Sequence, residues 1–418
     1  MKKILITLLL LITVLKTEAQ SSVFTVVDNL LLKGNYEKAL VLLEKQQPKT
    51  IELFNKIANI YETIGNYNKA IGYYKKALTI QEDLKIKVKL GNAYKSAGLI
   101  SNAIFIFEKI IEKDSSNLLV DNSLGKLYLI KNQPKKAEII YRFLKKKDSL
   151  NPNYPYQLAK SLAKQHKNLA MGQSYLDAYN LDTLHFKSIY ELAKFFKTLN
   201  YKDSTMLFID KGLKIDSTNV NFIQLKATEL YYSKKFKKSL NFLNRLDSLG
   251  FESVNTYQMV GMCYYNLKEY NLAEEYYKKA LKLDRTNPKI LYRLGTLYYE
   301  QKKIKLAKIY LFQSIMYGKG DLDNQYFLSG VIAREENNLK LALRLFENSY
   351  KNNSNNYKAL FQWAIVSDVF YKNKKIALRL YQNYLNRFKN KDKEITKYVV
   401  NRIKEIKKQY FIDGEIVD

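Results

Sequence analysis

Residues 273–299 read AEEYYKKALKLDRTNPKILYRLGTLYY, and the pattern in this stretch predicts the fold of the whole chain. The small residues Ala273, Ala280 and Gly295 stand at fixed offsets among large aromatic and aliphatic residues. Apolar residues recur three and four positions apart, which is the spacing of an amphipathic helix. Between the two periodic runs, residues 284–288 supply Asp, Asn and Pro, which favour a turn. The stretch therefore predicts two helices joined by a short turn.

The same pattern repeats along the chain at intervals of 31 to 35 residues. The position of Ala273 recurs as Ala39, Ala70, Ala103, Ala137, Met171, Thr205, Ser239, Ala307, Ala342 and Ala377. Twelve residues earlier stands a small residue, and five residues earlier a turn residue such as Gly65, Gly98 or Asn132. One helix pair cannot bury its apolar faces alone, so successive pairs stack. We therefore predict an all-α solenoid of about eleven helix-turn-helix units.

These columns resemble the tetratricopeptide repeat family, whose units of 34 residues carry Leu-Gly, an aromatic three positions later, and then Ala. Residues 288–321 and 254–287 match that pattern closely. The resemblance implies a right-handed superhelix whose first helices line a concave face. It is weaker over residues 152–253, where Met171, Thr205 and Ser239 replace the marker alanine and looser stacking is expected.

The two ends of the chain differ from the repeats. Residues 1–19 place Lys2 and Lys3 before a short apolar run and small residues before Gln20, an order typical of a secretory signal peptide. The alternative is an uncleaved anchor. We expect an exported chain, periplasmic or secreted and soluble, with the repeat solenoid over residues 20–391. Residues 392–418 predict a capping helix and tail, with Ile395, Val399, Ile403 and Ile406 on one face.

The cysteine, histidine and acidic residues of the sequence give little indication of a catalytic site. Cys263 occupies a column that is apolar in other units, which indicates a core position. His166 falls in the turn column and His185 in a loop between units, so we expect both to be solvated. Acidic pairs such as Glu274–Glu275 lie among lysines, and no glycine-rich phosphate loop is present. We predict a protein that is not an enzyme and has no cofactor and no metal.

The chain carries a formal net charge of +30, which attracts polyanions. Lys, Asn, Ile and Tyr are all abundant, which is the codon signature of an AT-rich genome. Part of the positive charge therefore reflects codon bias rather than function. Nucleic acid is a poor candidate partner for an exported protein, and we predict none.

The resemblance implies that inward-facing positions of the first helices form a partner-binding groove. Early and middle units contribute mostly lysines, and later units contribute tyrosines, whose rigid rings with a polar tip suit recognition of extended segments. The predicted groove residues are Lys126, Lys160, Lys187, Tyr190, Lys194, Lys197, Tyr232, Tyr265, Tyr292 and Tyr299. The alternative to partner binding is that the tyrosines only pack within the fold and that the lysines only form a solvated basic face.

Two functional hypotheses follow. The first is an exported scaffold that binds an extended or helical protein or peptide segment of another cell-envelope protein in its groove, in secretion or envelope assembly. The second is a polybasic surface that adsorbs to anionic lipid headgroups or to an anionic polymer such as an envelope glycan. The sequence predicts no oligomeric state.

Overall fold

A computed structural model describes residues 23–114 and 116–414 of the chain. Within these residues the secondary structure is helical and no strand is present. In chain order the helices are α1 (described residues 23–32), α2 (Tyr36–Lys45), α3 (Ile51–Thr63), α4 (Tyr67–Ile80), α5 (Leu84–Ser96), α6 (Ile100–Lys113), α7 (Leu118–Ile130), α8 (Pro134–Lys147), α9 (Asn153–Ala163), α10 (Asn168–Leu181), α11 (Phe186–Thr198), α12 (Lys202–Ile215), α13 (Val220–Tyr232), α14 (Phe236–Ser248), α15 (Val254–Asn266), α16 (Tyr270–Leu283), α17 (Pro288–Glu300), α18 (Ile304–Tyr317), α19 (Asp323–Glu335), α20 (Leu339–Asn352), α21 (Tyr357–Phe370), α22 (Lys375–Phe388) and α23 (Lys393–Ile412).

The predicted all-α fold of helix-turn-helix units is confirmed, with eleven helix pairs, α1/α2 to α21/α22, in the described residues. The pairs fall into two compact bodies. The N-terminal body extends to Ile215 and the C-terminal body begins at Asp216. The right-handed superhelix and the domain boundaries stay predictions.

The turn inside ten of the eleven pairs, all but α21/α22, uses a residue with a left-handed backbone. Ten such residues, at intervals of 31 to 35, have φ between 55° and 78°: Gly34, Gly65, Gly98, Asn132, His166, Asn200, Lys234, Lys268, Lys302 and Asn337. After α17, Lys303 N–H donates to the carbonyl of Tyr298 (2.8 Å) and Lys302 N–H to that of Tyr299 (2.9 Å). These two bonds satisfy the last carbonyls of the helix and reverse the chain.

In five hairpins a glycine on the first helix faces a large residue sixteen positions later on the second helix. A β-carbon on any of these glycines would lie within 3 Å of the facing side chain, so the two helices approach closely. The pairs are Gly91–Phe107, Gly125–Tyr141, Gly261–Tyr277, Gly295–Leu311 and Gly330–Phe346. This contact is the reason for the fixed offsets in the sequence.

In the stretch with non-alanine markers the two helices of a pair pack closely, and the boundary between the two bodies falls in this stretch, between Ile215 and Asp216. Ser239 is fully buried, and its hydroxyl donates to the carbonyl of Ala227 at 2.7 Å. Thr205 is buried too and donates to the carbonyl of Tyr201 at 2.8 Å. Both hydroxyls are satisfied, so burying them carries little penalty. In α10 the buried small residue is Gly172, whereas Met171 is only partly buried.

The last helix, α23, covers the end of the C-terminal body. Val399 and Ile406 are buried in it, and Ile395 and Ile403 pack against the same core. An ion pair fixes its position, because Arg402 Nε and Nη2 donate to the two carboxylate oxygens of buried Asp368 on α21, at 2.6 and 3.1 Å. Such a two-point contact sets both the distance and the orientation of the helix.

The predicted signal peptide, residues 1–19, lies outside the described residues. None of the helices within 23–114 and 116–414 combines the length and the apolar character that crossing a bilayer requires.

Candidate functional site

Side-chain hydrogen bonds join the first helices of successive units on one side of the C-terminal body. Asn266 Nδ2 on α15 donates to the hydroxyl of Tyr231 on α13 at 3.3 Å. The hydroxyl of Tyr299 on α17 donates to Glu335 Oε1 on α19 at 2.7 Å. We call the surface that these side chains form the first-helix face, and the predicted groove residues of this body belong to its helices.

Three of the predicted tyrosines, Tyr265, Tyr292 and Tyr299, are partly buried on this face and pack against the underlying core. The ring of Tyr265 lies 5.9 Å from that of Tyr270. Burial, with the nearby Glu300 carboxylate, raises the pKa of Tyr265 to about 12. Burial and the bond to Glu335 raise the pKa of Tyr299 to about 12 as well. Both hydroxyls therefore stay protonated at physiological pH, on rings whose motion is restricted.

The fourth predicted tyrosine is in a different register. The 13-residue helices α13, α15 and α17 align end to end, which makes Tyr231, rather than Tyr232, the equivalent of Tyr265 and Tyr299. Tyr232 is the last residue of α13, and 71% of its surface is exposed. Tyr231 is partly buried and accepts the Asn266 bond. The sequence pattern missed Tyr231 because two tyrosines are adjacent there.

The N-terminal body carries the predicted lysines, none of which is in its core. Lys126, Lys160, Lys187 and Lys194 are exposed, and Lys197 is partly buried. Lys160 Nζ lies 5.9 Å from the ring centre of Tyr156. On α11, Lys194 Nζ lies 5.3 Å from the ring of Tyr190 and 3.1 Å from Glu191 Oε2. Lys160 and Lys194 thus lie beside aromatic rings, and the Glu191 carboxylate is within ion-pair distance of Lys194.

Lys89 of the same body has a structural role that the sequence pattern did not indicate. Its Nζ donates to Asn55 Oδ1 at 3.1 Å and to Asn59 Oδ1 at 3.0 Å, which links α5 to α3. Asn59 also accepts from the hydroxyl of Tyr74 at 2.8 Å. The two asparagine oxygens are therefore occupied by the protein itself.

A cleft of about 820 Å³ lies between α1 and α3. Phe24, Leu31 and Ile60 line its apolar part, and the Lys56–Asp28 ion pair (2.7 Å) lies at its edge. None of the ten predicted residues lines this cleft.

The candidate catalytic side chains take structural positions. Cys263 is fully buried, as expected, and burial raises the pKa of its thiol to about 11. His166 is an exposed turn residue with φ of 58°. The expectation that His185 is solvated is wrong: it is half-buried, its Nδ1 lies 2.7 Å from Ser188 Oγ, and its ring packs on Tyr156. Within residues 23–114 and 116–414, no group of three or more His, Cys, Asp or Glu side chains is arranged to hold a metal ion.

Comparison with protein families gives two matches to the tetratricopeptide repeat, at residues 254–287 and 51–84. The first match begins at α15 and the second covers α3 and α4, so each coincides with one helix pair. The chain is a tetratricopeptide repeat protein. Among curated proteins, none matches it.

Solved structures similar to this tetratricopeptide repeat protein include yeast Tom70, with 12% identity and a TM-score of 0.45 over 95% of this chain and 97% of that one. A chain of the APC/C hetero-tetramer Cut9–Hcn1 shares 14% identity with a TM-score of 0.46, over 92% of this chain and 84% of that one. PilW, described as a widely conserved type IV pilus biogenesis factor, shares 16% identity with a TM-score of 0.45, over 51% of this chain and 97% of that one.

Tetratricopeptide repeats serve protein–protein interaction, and the first-helix face has the chemistry for it. Aromatic rings with protonated hydroxyls offer both apolar contact area and directed hydrogen bonds. Exposed lysines of the N-terminal body offer attraction to acidic groups. The protein is therefore an interaction scaffold.

Proposed function

We propose that this scaffold is exported, has no catalytic activity, and binds an extended or helical segment of another cell-envelope protein on its first-helix face. The observation that carries the proposal is the row formed by Tyr231, Tyr265 and Tyr299 on equivalent positions of three successive first helices. A row of this kind offers similar contacts at regular intervals along a bound segment, which suits a partner that is itself extended.

Hydrogen bonds and packing within the protein hold these rings in place, which supports the proposal. A side chain that is already restricted before binding loses less conformational entropy when the partner arrives. Tyr299 is held by Glu335, Tyr231 accepts a bond from Asn266, and Tyr265 packs on Tyr270. Tyrosines that only pack in a core need no hydroxyl group near the surface. A surface that recognises a peptide backbone uses such hydroxyl groups as hydrogen-bonding partners.

The lysines of the N-terminal body support a second, electrostatic contribution. Lys126 and Lys187 are exposed and form no ion pair with the described residues. We propose that they attract acidic residues of the same partner. The alternative function, adsorption to anionic headgroups or an anionic polymer, rests on these lysines together with the net charge of +30.

Site-specific photocrosslinking in the native envelope tests the proposal. A photoreactive residue is placed at Tyr265 or Tyr299, and a matched control at Asn244, an exposed position on the second helix α14. We expect one discrete protein adduct from the two tyrosine positions and none from the control. Equal labelling of many proteins from all three positions would contradict the proposal.

A further inference from the structure

The second helix α18 exposes an apolar stripe to solvent. Ile309, Phe312 and Met316 lie on one side of it, spaced three and four residues apart, with 51%, 66% and 54% of their surfaces exposed. The helix buries Ala307, Leu311 and Ser314 on its opposite side, so its core contacts are already made. The stripe adds nothing to the core of the C-terminal body, and apolar surface that is left in water needs another explanation.

Equivalent positions on the neighbouring second helices are charged. On α16, 34 residues earlier, they are Glu275, Lys278 and Lys282. On α20, 35 residues later, they are Arg344, Glu347 and Lys351. The position of Ile309 is also apolar and exposed on α6, α8 and α12 (Phe105, Ile139 and Leu207), but the full three-residue stripe is absent from both neighbouring second helices, where this side is solvated.

The border of the stripe is basic. Carboxylates on the two neighbouring helices are paired with lysines, since Glu275 contacts Lys279 at 2.9 Å and Glu347 contacts Lys351 at 2.8 Å. Three exposed cations, on α18 itself and on the two neighbouring second helices, form no ion pair with the described residues: Lys282, Lys305 and Arg344. The excess charge around the apolar side chains is therefore positive.

We propose that the α18 stripe is a docking site for an anionic lipid surface. An apolar helix face bordered by unpaired cations is the composition of segments that lie at a membrane interface, where the apolar side chains enter the acyl boundary and the cations contact headgroups. A second copy of the chain fits poorly, because two basic borders would face each other. Phe312 and its neighbours project from a single helix, and a soft lipid surface accepts such a projection without a preformed groove.

Sedimentation of the full chain with vesicles of phosphatidylcholine containing about 30% phosphatidylglycerol tests the site, since anionic lipid supplies the charge. The test variant is Ile309→Ser with Phe312→Ser, both at exposed positions. Its matched control is Phe105→Ser on α6, where the ring is 54% exposed but lies in the N-terminal body. A second pair compares Lys282→Gln with Arg344→Gln against Lys237→Gln with Lys238→Gln on α14, which removes equal charge elsewhere.

We expect the serine double variant to bind these vesicles about tenfold more weakly, because the inserted apolar surface is lost. The Phe105 variant is expected to bind as the parent does, and the Lys282/Arg344 variant to lose more binding than the α14 variant. Failure of the parent to bind, or equal loss in test and control variants, would overturn the proposal. So would a dimer or a complex with an acidic peptide that dissociates on the serine substitutions while vesicle binding persists. Thermal melts of each variant check that it folds.

Discussion

A β-carbon placed on Gly261 would lie 2.6 Å from both Cδ1 and Cε1 of Tyr277, which is closer than carbon atoms pack in proteins. Gly261 is on the first helix of its unit and the fully buried Tyr277 on the second. The absence of a side chain on one helix thus provides the space for the ring on the other, and this relationship sets the distance between the two helices.

We therefore expect Gly261→Ala to lower the free energy of unfolding by about 1–3 kcal/mol, and Gly261→Leu to lower it further, because the ring must leave its position. Gly72→Ala on α4 is the control, since a β-carbon there meets no atom within 4 Å. It should stabilise the helix by about 0.5–1 kcal/mol. Chemical denaturation of both variants measures the effects, and an unchanged midpoint for Gly261→Leu would show that the helix contact is misplaced.

The left-handed turns predict a stabilising substitution. Lys302 has φ of 60°, a conformation that costs a residue with a β-carbon about 1–2 kcal/mol and glycine almost nothing. Lys302→Gly should therefore raise the denaturation midpoint. The same substitution at Lys404, an exposed residue in the interior of α23, should lower the free energy of unfolding by about 1 kcal/mol. Destabilisation by both substitutions would contradict the turn geometry.

Asp121 on α7 predicts a dependence of stability on pH. It is 3% exposed, its Oδ2 has no hydrogen-bond partner in the described residues, and burial together with the Asp114 charge raises its pKa. The folded state therefore holds the proton more tightly than the unfolded chain. Stability is retained below the unfolded-state pKa of about 3.9 and is lost as pH rises through the folded-state pKa.

Asp121→Asn should accordingly raise the free energy of unfolding at neutral pH by about 1 kcal/mol, because the burial of a charge is removed. The gain should disappear below the unfolded-state pKa, where both chains carry a neutral group. Denaturation at neutral pH and at about pH 3 measures the difference. A gain of the same size at both pH values would contradict the raised pKa of Asp121, because the gain would then not depend on the charge of its carboxylate.

Some features of the fold follow from the sequence and others do not. The glycine and alanine columns were predictable, because a close helix contact excludes every larger residue wherever it occurs. The turns at Lys234, Lys268 and Lys302 were not, since lysine has no preference for positive φ and the packing of the flanking helices imposes it.

The site was predictable only in part, because a shift of one residue turns a helical side chain by about 100°. Where Tyr231 and Tyr232 are adjacent, only the ends of α13 decide which of them is equivalent to Tyr265. Apolar residues on an amphipathic pattern also indicate burial by default, so the sequence alone does not predict the exposure of Phe312.

Export is tested at the N-terminus. The order of charged, apolar and small residues over 1–19 predicts a mature chain that begins at Gln20 and is recovered in the soluble envelope fraction. N-terminal sequencing of the protein isolated from cells measures this. Recovery of the intact Met1 terminus from the cytosol would contradict the proposed location.

A salt titration of binding to the crosslinked partner tests whether tyrosines of the first-helix face bind a protein segment. Tyr265→Ala with Tyr299→Ala should weaken binding at least tenfold, about 1.4 kcal/mol or more, as loss of buried aromatic anchors does. Tyr201→Ala, which removes an exposed ring outside that face, should leave affinity unchanged.

In the same titration, Lys160, Lys187, Lys194 and Lys197 changed to Gln should weaken binding most at low salt, and the parent should keep part of its affinity at high salt, because apolar contact is not screened. Parent-like affinity of the tyrosine double variant, together with complete loss of parent binding at moderate salt, would contradict binding through the tyrosines and support a surface that only collects polyanions.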